Sequence, residues 1–129
     1  MSDPKPARLL LDVAEQDLAM LRAMEDESVF VDRAFGFAVQ QAVEKILKAW
    51  ICVLGSIYPH TRNLEVLMRR LADRGEEVES FSGLAGYTPY AGMLRHQPGS
   101  PAAGPLGRER AIALVGALLE RVKTLAEPA

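Results

Sequence analysis

Cysteine is all but missing from this chain of 129 residues. Cys52 stands alone, which excludes an internal disulfide and a cysteine-built zinc cluster. Its thiol sits in the apolar run Trp50-Ile51-Cys52-Val53-Leu54, where a lone cysteine packs as a small hydrophobe; a nucleophilic one wants basic, partly exposed surroundings. Histidine is nearly as scarce. His60 and His96 stand far apart and supply no metal-ligand spacing, and the acidic clusters Glu25–Glu27 and Glu76–Glu79 read as solvated loops. No metal and no cofactor is therefore expected. Aromatics are few, one Trp, three Tyr and four Phe, while alanine and leucine dominate and favour helix. Positive charge is not in excess: 15 Lys and Arg face 17 Asp and Glu, a net charge of −2. No global field draws the protein onto nucleic acid and nothing points to DNA, so any contact with RNA or a nucleotide has to come from a local patch. No apolar run approaches the roughly 20 residues of a membrane span. The start Met1-Ser2-Asp3-Pro4-Lys5-Pro6 has no apolar signal-peptide core, and the expectation is a cytoplasmic protein with no membrane partner. Strand alternation, fixed-period repeats, glycine-rich phosphate loops and Ser-His-Asp or Cys-His arrangements are all missing too.

What is present is helical periodicity. Residues 1–6, with two prolines, read as a loose tail. From Ala7 onward Leu10, Val13, Ala14, Asp17, Leu18, Leu21 and Met24 recur at three- and four-residue steps, a first amphipathic helix. Ser28 is the expected N-cap of the longest helix, 29–54. Its apolar side is Phe30, Ala34, Phe35, Ala38, Ala42, Ile46, Ala49 and Val53, and Gln40, Gln41, Glu44, Lys45 and Lys48 form a polar ribbon. Glu44 to Lys48 is an i,i+4 pair worth about 0.2–0.5 kcal/mol. Gly55 stops this helix and Pro59 follows. A third helix, 61–74, starts at Thr61 as cap and carries the stripe Leu64, Leu67, Met68 and Leu71, with Arg69, Arg70 and Arg74 in its last turns, where cations suit the dipole. Thr88-Pro89 reads as N-cap and first residue of a short helix to Arg95. Residues 97–107 form a flexible Pro/Gly loop. A last helix spans 108–126 on Ile112, Val115, Leu118, Leu119, Val122 and Leu125. The expected fold is all-α over residues 7–126: an up-down antiparallel four-helix bundle with an additional short helix before the last long helix.

The second helix carries a resemblance. Gln40-Gln41-Ala42-Val43-Glu44-Lys45-Ile46-Leu47-Lys48-Ala49 is similar to the QQA-x-EK-x-LKA signature of HEPN domains. Gly55, Pro59, Thr61 and Leu64 match that family's turn into its third helix, and Tyr90 followed by Arg95-His96-Gln97-Pro98 sits where relatives carry Tyr and then Arg-Tyr-Pro. The resemblance implies a helical bundle that dimerises. It implies two functional themes: metal-independent ribonucleases, often toxins held by an antitoxin, and modules that pair with small nucleotidyltransferases and bind nucleotides. The ribonuclease subset places an Arg a short, set distance ahead of a His. Here Val53, Leu54 and Gly55 hold that place before His60, and Pro89, Tyr90 and Ala91 hold it before His96. Arg62 also replaces the usual His of the Thr-His turn.

Cleavage of RNA without metal needs a base for the 2′-hydroxyl, an acid for the leaving oxygen and a cation for the phosphorane. Arg95 and His96 are the adjacent pair able to supply these groups, across the cleft of a twofold dimer; the plain alternative is a helix cap and a solvated loop residue. For ligand binding the candidates are Gln41, Lys45 and Lys48 on the ribbon, Arg62 beside His60 and Thr61 at a helix start able to hold phosphate, and Tyr90 to stack on a base. Their alternatives are a solvent face, a simple cap with exposed neighbours, and core packing. Three readings follow. The first is a binding module, a homodimer that binds nucleotide or RNA or partners a small nucleotidyltransferase. The second is an atypical ribonuclease using Arg95 and His96. The third is an oligomerisation scaffold with Phe37, Trp50 and Tyr58 at its interface.

Overall fold

The computed structural model describes residues 4–26, 28–92 and 105–127. Four α-helices lie among them: α1 (Pro4–Ala23), α2 (Asp32–Val53), α3 (Leu64–Asp73) and α4 (Arg108–Ala126), with a run of 3-10 turns over Glu79–Gly92 between α3 and α4. No described residue is in a strand. The expected all-α bundle is what the structure shows. No described helix is long and apolar enough to cross a membrane.

α2 is the hub, packing against α1, α3, α4 and the 3-10 segment. That explains why it buries a wider arc than one stripe: Val39, Val43, Leu47 and Trp50 are buried beside the expected Ala42, Ile46 and Ala49, whereas Ala34 faces water. α1 begins at Pro4, ahead of the Ala7 expected, because proline fits a first turn whose N–H groups have no helical partner. Its buried face is Ala7, Leu11, Ala14, Leu18 and Leu21, with Met24 buried just past its end. The expected stripe is shifted at its start: Leu11 is the residue that turns inward, Leu10 is half-buried, and Val13 is exposed.

The caps differ from those expected, and each difference has a local cause. Ser28 does not cap α2. Its backbone N–H and hydroxyl both donate to Asp26 Oδ1, at 2.9 and 2.6 Å, and the N-cap position falls on Val31 with no side-chain bond. α3 starts three residues later than expected, at Leu64, with Asn63 as cap accepting from the N–H groups of Glu65 and Val66. Thr61 acts one step earlier, accepting from Asn63 N–H at 3.0 Å. Thr88 also serves α3 and not a helix of its own: its hydroxyl accepts from Leu64 N–H at 3.1 Å. α2 and α3 end alike. Gly55 (φ 82°) and Gly75 (φ 83°) are left-handed, and in each case the glycine N–H and the next N–H return to carbonyls of the last turn, Cys52 and Ile51 in one, Ala72 and Leu71 in the other.

The short helix expected from Pro89 to Arg95 begins ten residues sooner, as the 3-10 segment; residues 93–95 lie outside the described residues. Phe81, Leu84, Tyr87 and Tyr90 are its buried side chains. They recur every third residue, the period of a 3-10 helix, so all four line one edge against the core.

Candidate ligand-binding surface

The polar ribbon of α2 is not a solvent face. Gln40 is fully buried, and Gln41, Glu44, Lys45 and Lys48 are half-buried. Each is engaged inside the molecule. Lys45 Nζ donates to Asp17 Oδ2 of α1 at 2.7 Å. Gln41 Nε2 donates to Gln40 Oε1 at 2.7 Å, and Gln40 Nε2 in turn donates to Glu44 Oε1 at 2.9 Å and to the Arg62 carbonyl at 3.1 Å. Lys48 Nζ donates to Glu44 Oε2 at 3.0 Å. A buried amide such as Gln40 is tolerable because its groups find partners. These bonds tie α1 and the α2–α3 connection to α2.

At its Lys48 end the ribbon meets that connection. Lys48 Nζ lies 5.1 Å from the centre of the Tyr58 ring, within cation–π range. The Tyr58 and His60 rings meet edge to face, centroids 6.4 Å apart. Arg62 is exposed, its Nη1 reaching the Ala91 carbonyl at 3.4 Å. Lys48, Tyr58 and His60 thus form a cluster of one cation and two rings at the α2–α3 connection, and Arg62, two residues on, turns its guanidinium to the 3-10 segment. An ammonium and a guanidinium recognise phosphate, and ring faces accept a base.

The sequence candidates divide accordingly. Lys48 belongs to this cluster, and Arg62 lies beside it on the same connection. Lys45 and Gln41 lie further along α2, engaged with Asp17 and Gln40. Tyr90 is buried, packed on Tyr87 with centroids 5.7 Å apart. Burial raises the pKa of its phenol, with the Asp32 carboxylate adding to the rise. Trp50 is buried too, its Nε1 donating to Glu76 Oε1 at 2.9 Å, so it offers nothing to an interface; Phe37 is exposed and Tyr58 half-buried. Burial also raises the Cys52 thiol pKa, the opposite of what a nucleophile needs. Arg95 and His96 lie outside the described residues. Among the described residues no group of three or more His, Cys, Asp or Glu is placed to hold a metal ion.

One residue escaped the sequence reading. Arg108, 7% exposed, donates from Nη1 to the Met24 carbonyl at 2.6 Å and from Nη2 to the Phe30 carbonyl at 2.6 Å and Asp32 Oδ1 at 2.9 Å, over the Phe35 ring. It locks the start of α4 to the α1–α2 connection. Its signal was a misplaced charge: a cation in a helix's first turn opposes the dipole, and this one is held there by carbonyls and a carboxylate from elsewhere.

Among known proteins, the family model described as HEPN domain matches residues 7–125. No curated protein and no solved structure matches the chain significantly.

Proposed function

The chain belongs to the HEPN domain family, and from that premise we propose that it is a binding module for a nucleotide or RNA, working as a homodimer, on its own or beside a small nucleotidyltransferase. The observation that carries this reading is the Lys48–Tyr58–His60 contact at the α2–α3 connection, with the exposed Arg62 guanidinium two residues further along the same connection. In this reading the exposed Arg62 guanidinium takes a phosphate, and a base lies on the Tyr58 or His60 ring. This local patch answers the demand set by a net charge of −2, since no field of the whole protein attracts an anion. The exposed apolar side chains Leu9, Val13 and Met20, at helical spacing on α1, together with Phe37 supply surface for the second copy.

Thermal unfolding with AMP, ATP and short single-stranded RNAs tests this. A ligand at about 100 times its Kd stabilises the fold by about 2.7 kcal/mol, a shift of several degrees for a domain of this size. The expected result is a rise in Tm with at least one of these ligands, abolished in Arg62→Glu. No rise with any of them, or cleavage of the RNA by tag-free protein that is lost in His96→Ala, overturns the reading of a non-catalytic binding module.

A further inference from the structure

We propose that a pocket between the end of α2 and α3 docks an acidic peptide segment of a partner protein, seated by one large apolar side chain. The pocket lies apart from the Lys48–Arg62 cluster and does not depend on it. Buried Ile51 and Leu71 form its floor, and Leu54 and Ile57 its wall. Its volume is about 180 Å³. An engineered apolar cavity of about 150 Å³ holds benzene, so this one has room for a single leucine, isoleucine or phenylalanine side chain. Ile57 stands at the opening 91% exposed, a cost in apolar surface that a seated partner relieves.

The charge of the rim selects the partner. Arg70 and Arg74 stand one helical turn apart at its edge, with Asp73 as the acid beside them, and the balance is positive. Arg74 is fixed in place: its guanidinium donates to Ser56 Oγ and, at 3.3 Å, to the Leu54 carbonyl. Arg70 makes no hydrogen bond or ion pair among the described residues and is exposed, which leaves it available to a carboxylate. Nucleic acid matches the arginines but brings no aliphatic group to fill the hole. A second copy inserting Ile57 across a twofold axis brings Arg70 and Arg74 against their own images, a like-charge meeting that opposes the contact. An acidic segment with one apolar anchor satisfies both the floor and the rim.

The test is a titration of the full, 15N-labelled chain with the blocked peptide Asp-Glu-Leu-Glu-Asp, followed through amide shifts. Three probes run beside it: the peptide with alanine in place of leucine, the peptide with lysine in place of every acid, and a short uridine oligoribonucleotide. Saturable shifts at the amides of Leu54, Ile57 and Arg70 are expected with the first peptide. Binding weakens about tenfold or more without the leucine, falls as salt is raised, and is lost with the lysine peptide. Arg70→Glu, an exposed change that leaves the rest of the spectrum in place, abolishes the response. The proposal is overturned by the lack of saturable shifts at roughly 5 mM peptide, a binding free energy too weak to count as recognition. Equal response to the alanine peptide, stronger response to the ribonucleotide, or shifts at these amides on raising protein concentration without peptide each overturn it too.

Discussion

The ring of Tyr90 lies so close over Gly36 that a β-carbon added to the glycine would stand 2.2 Å from Cε1 and 2.4 Å from Cδ1. This contact joins the last turn of the 3-10 segment to the first part of α2, and it needs the bare backbone of glycine inside a helix, a placement that costs about 0.5–1 kcal/mol relative to alanine.

Gly36→Ala therefore sets two effects against each other. Helix propensity favours the alanine by about 1 kcal/mol, while overpacking against a buried ring costs about 1–3 kcal/mol. With Cε1, Cδ1 and Cζ of the ring all within 2.6 Å of the added methyl group, overpacking wins. Urea unfolding is expected to show net destabilisation of Gly36→Ala, and the added change Tyr90→Ala is expected to reverse its sign, since it removes the ring that the methyl group strikes.

Arg108 gives the second prediction. Replacing it with methionine removes the donors to two carbonyls and the Asp32 carboxylate while keeping the apolar stem. Leaving the carbonyls without their donor costs about 1–3 kcal/mol, and the part-exposed Asp32 carboxylate turns to water. Arg108→Lys recovers only part of this loss, because a single ammonium does not reproduce two guanidinium arms aimed at Met24 and Phe30. Thermal melts of both variants check the order wild type, lysine, methionine.

How far these features were legible in the sequence varies with their range. α4 was readable to the residue, Arg108–Ala126, because an apolar period ran between proline and glycine on one side and a polar end on the other. The glycine stops of α2 and α3 were readable because a left-handed residue is a local requirement. The 3-10 segment was missed over its first ten residues, although its large apolar residues at positions 81, 84, 87 and 90 spell a period of three, because Gly83 and Gly86 interrupt that run and Thr88-Pro89 reads as the start of a separate short helix. The ribbon of α2 was readable as polar but not as internal: its burial depends on Asp17 and Arg62 arriving from distant parts of the chain, which no periodicity encodes. The same holds for Arg108, whose partners are three groups far upstream. In the candidate site, Lys48 and Arg62 were legible from the resemblance and the helix start, whereas the roles of Tyr58 and His60 depend on the course of the loop.

Alkaline pH is the third case. Burial raises the phenol pKa of both Tyr87 and Tyr90. A raised pKa in the folded state means that the unfolded chain loses its phenolic protons first. Stability from this source is complete below the ordinary tyrosine value near 10 and drains away as pH climbs through the folded values. Cys52, raised in the same direction, begins to contribute from its lower ordinary value. Unfolding free energy measured from pH 8 to 12 is expected to fall, and Tyr90→Phe is expected to flatten the fall.

The ribbon and the cluster separate in a fourth measurement. Lys45→Met breaks the pair with Asp17, a partly exposed bridge worth about 0.2–1 kcal/mol, and is expected to lower Tm slightly while leaving nucleotide or RNA stabilisation intact. Arg62→Glu is expected to do the reverse, moving the ligand response and leaving the unliganded unfolding free energy within about 0.5 kcal/mol of the parent, as exposed substitutions do. If both variants bind as the parent does, the ligand sits elsewhere.

Dimerisation rests on different residues and fails independently. Leu9, Val13 and Met20 place apolar side chains on the outer face of α1, and Phe37 does so on α2; none of them touches the Lys48–Arg62 cluster, and none is needed for the buried face of its own helix. A charge introduced there leaves the core intact yet desolvates badly in an interface, where an unpaired buried charge is strongly opposed. Light scattering is expected to give twice the monomer mass for the parent and the monomer mass for Met20→Glu, with helix content by circular dichroism unchanged. Because these positions are exposed in the monomer, a monomeric Met20→Glu that still binds ligand separates association from recognition. A parent that scatters as a monomer at working concentration removes the homodimer from the proposal and leaves the ligand cluster to be judged alone.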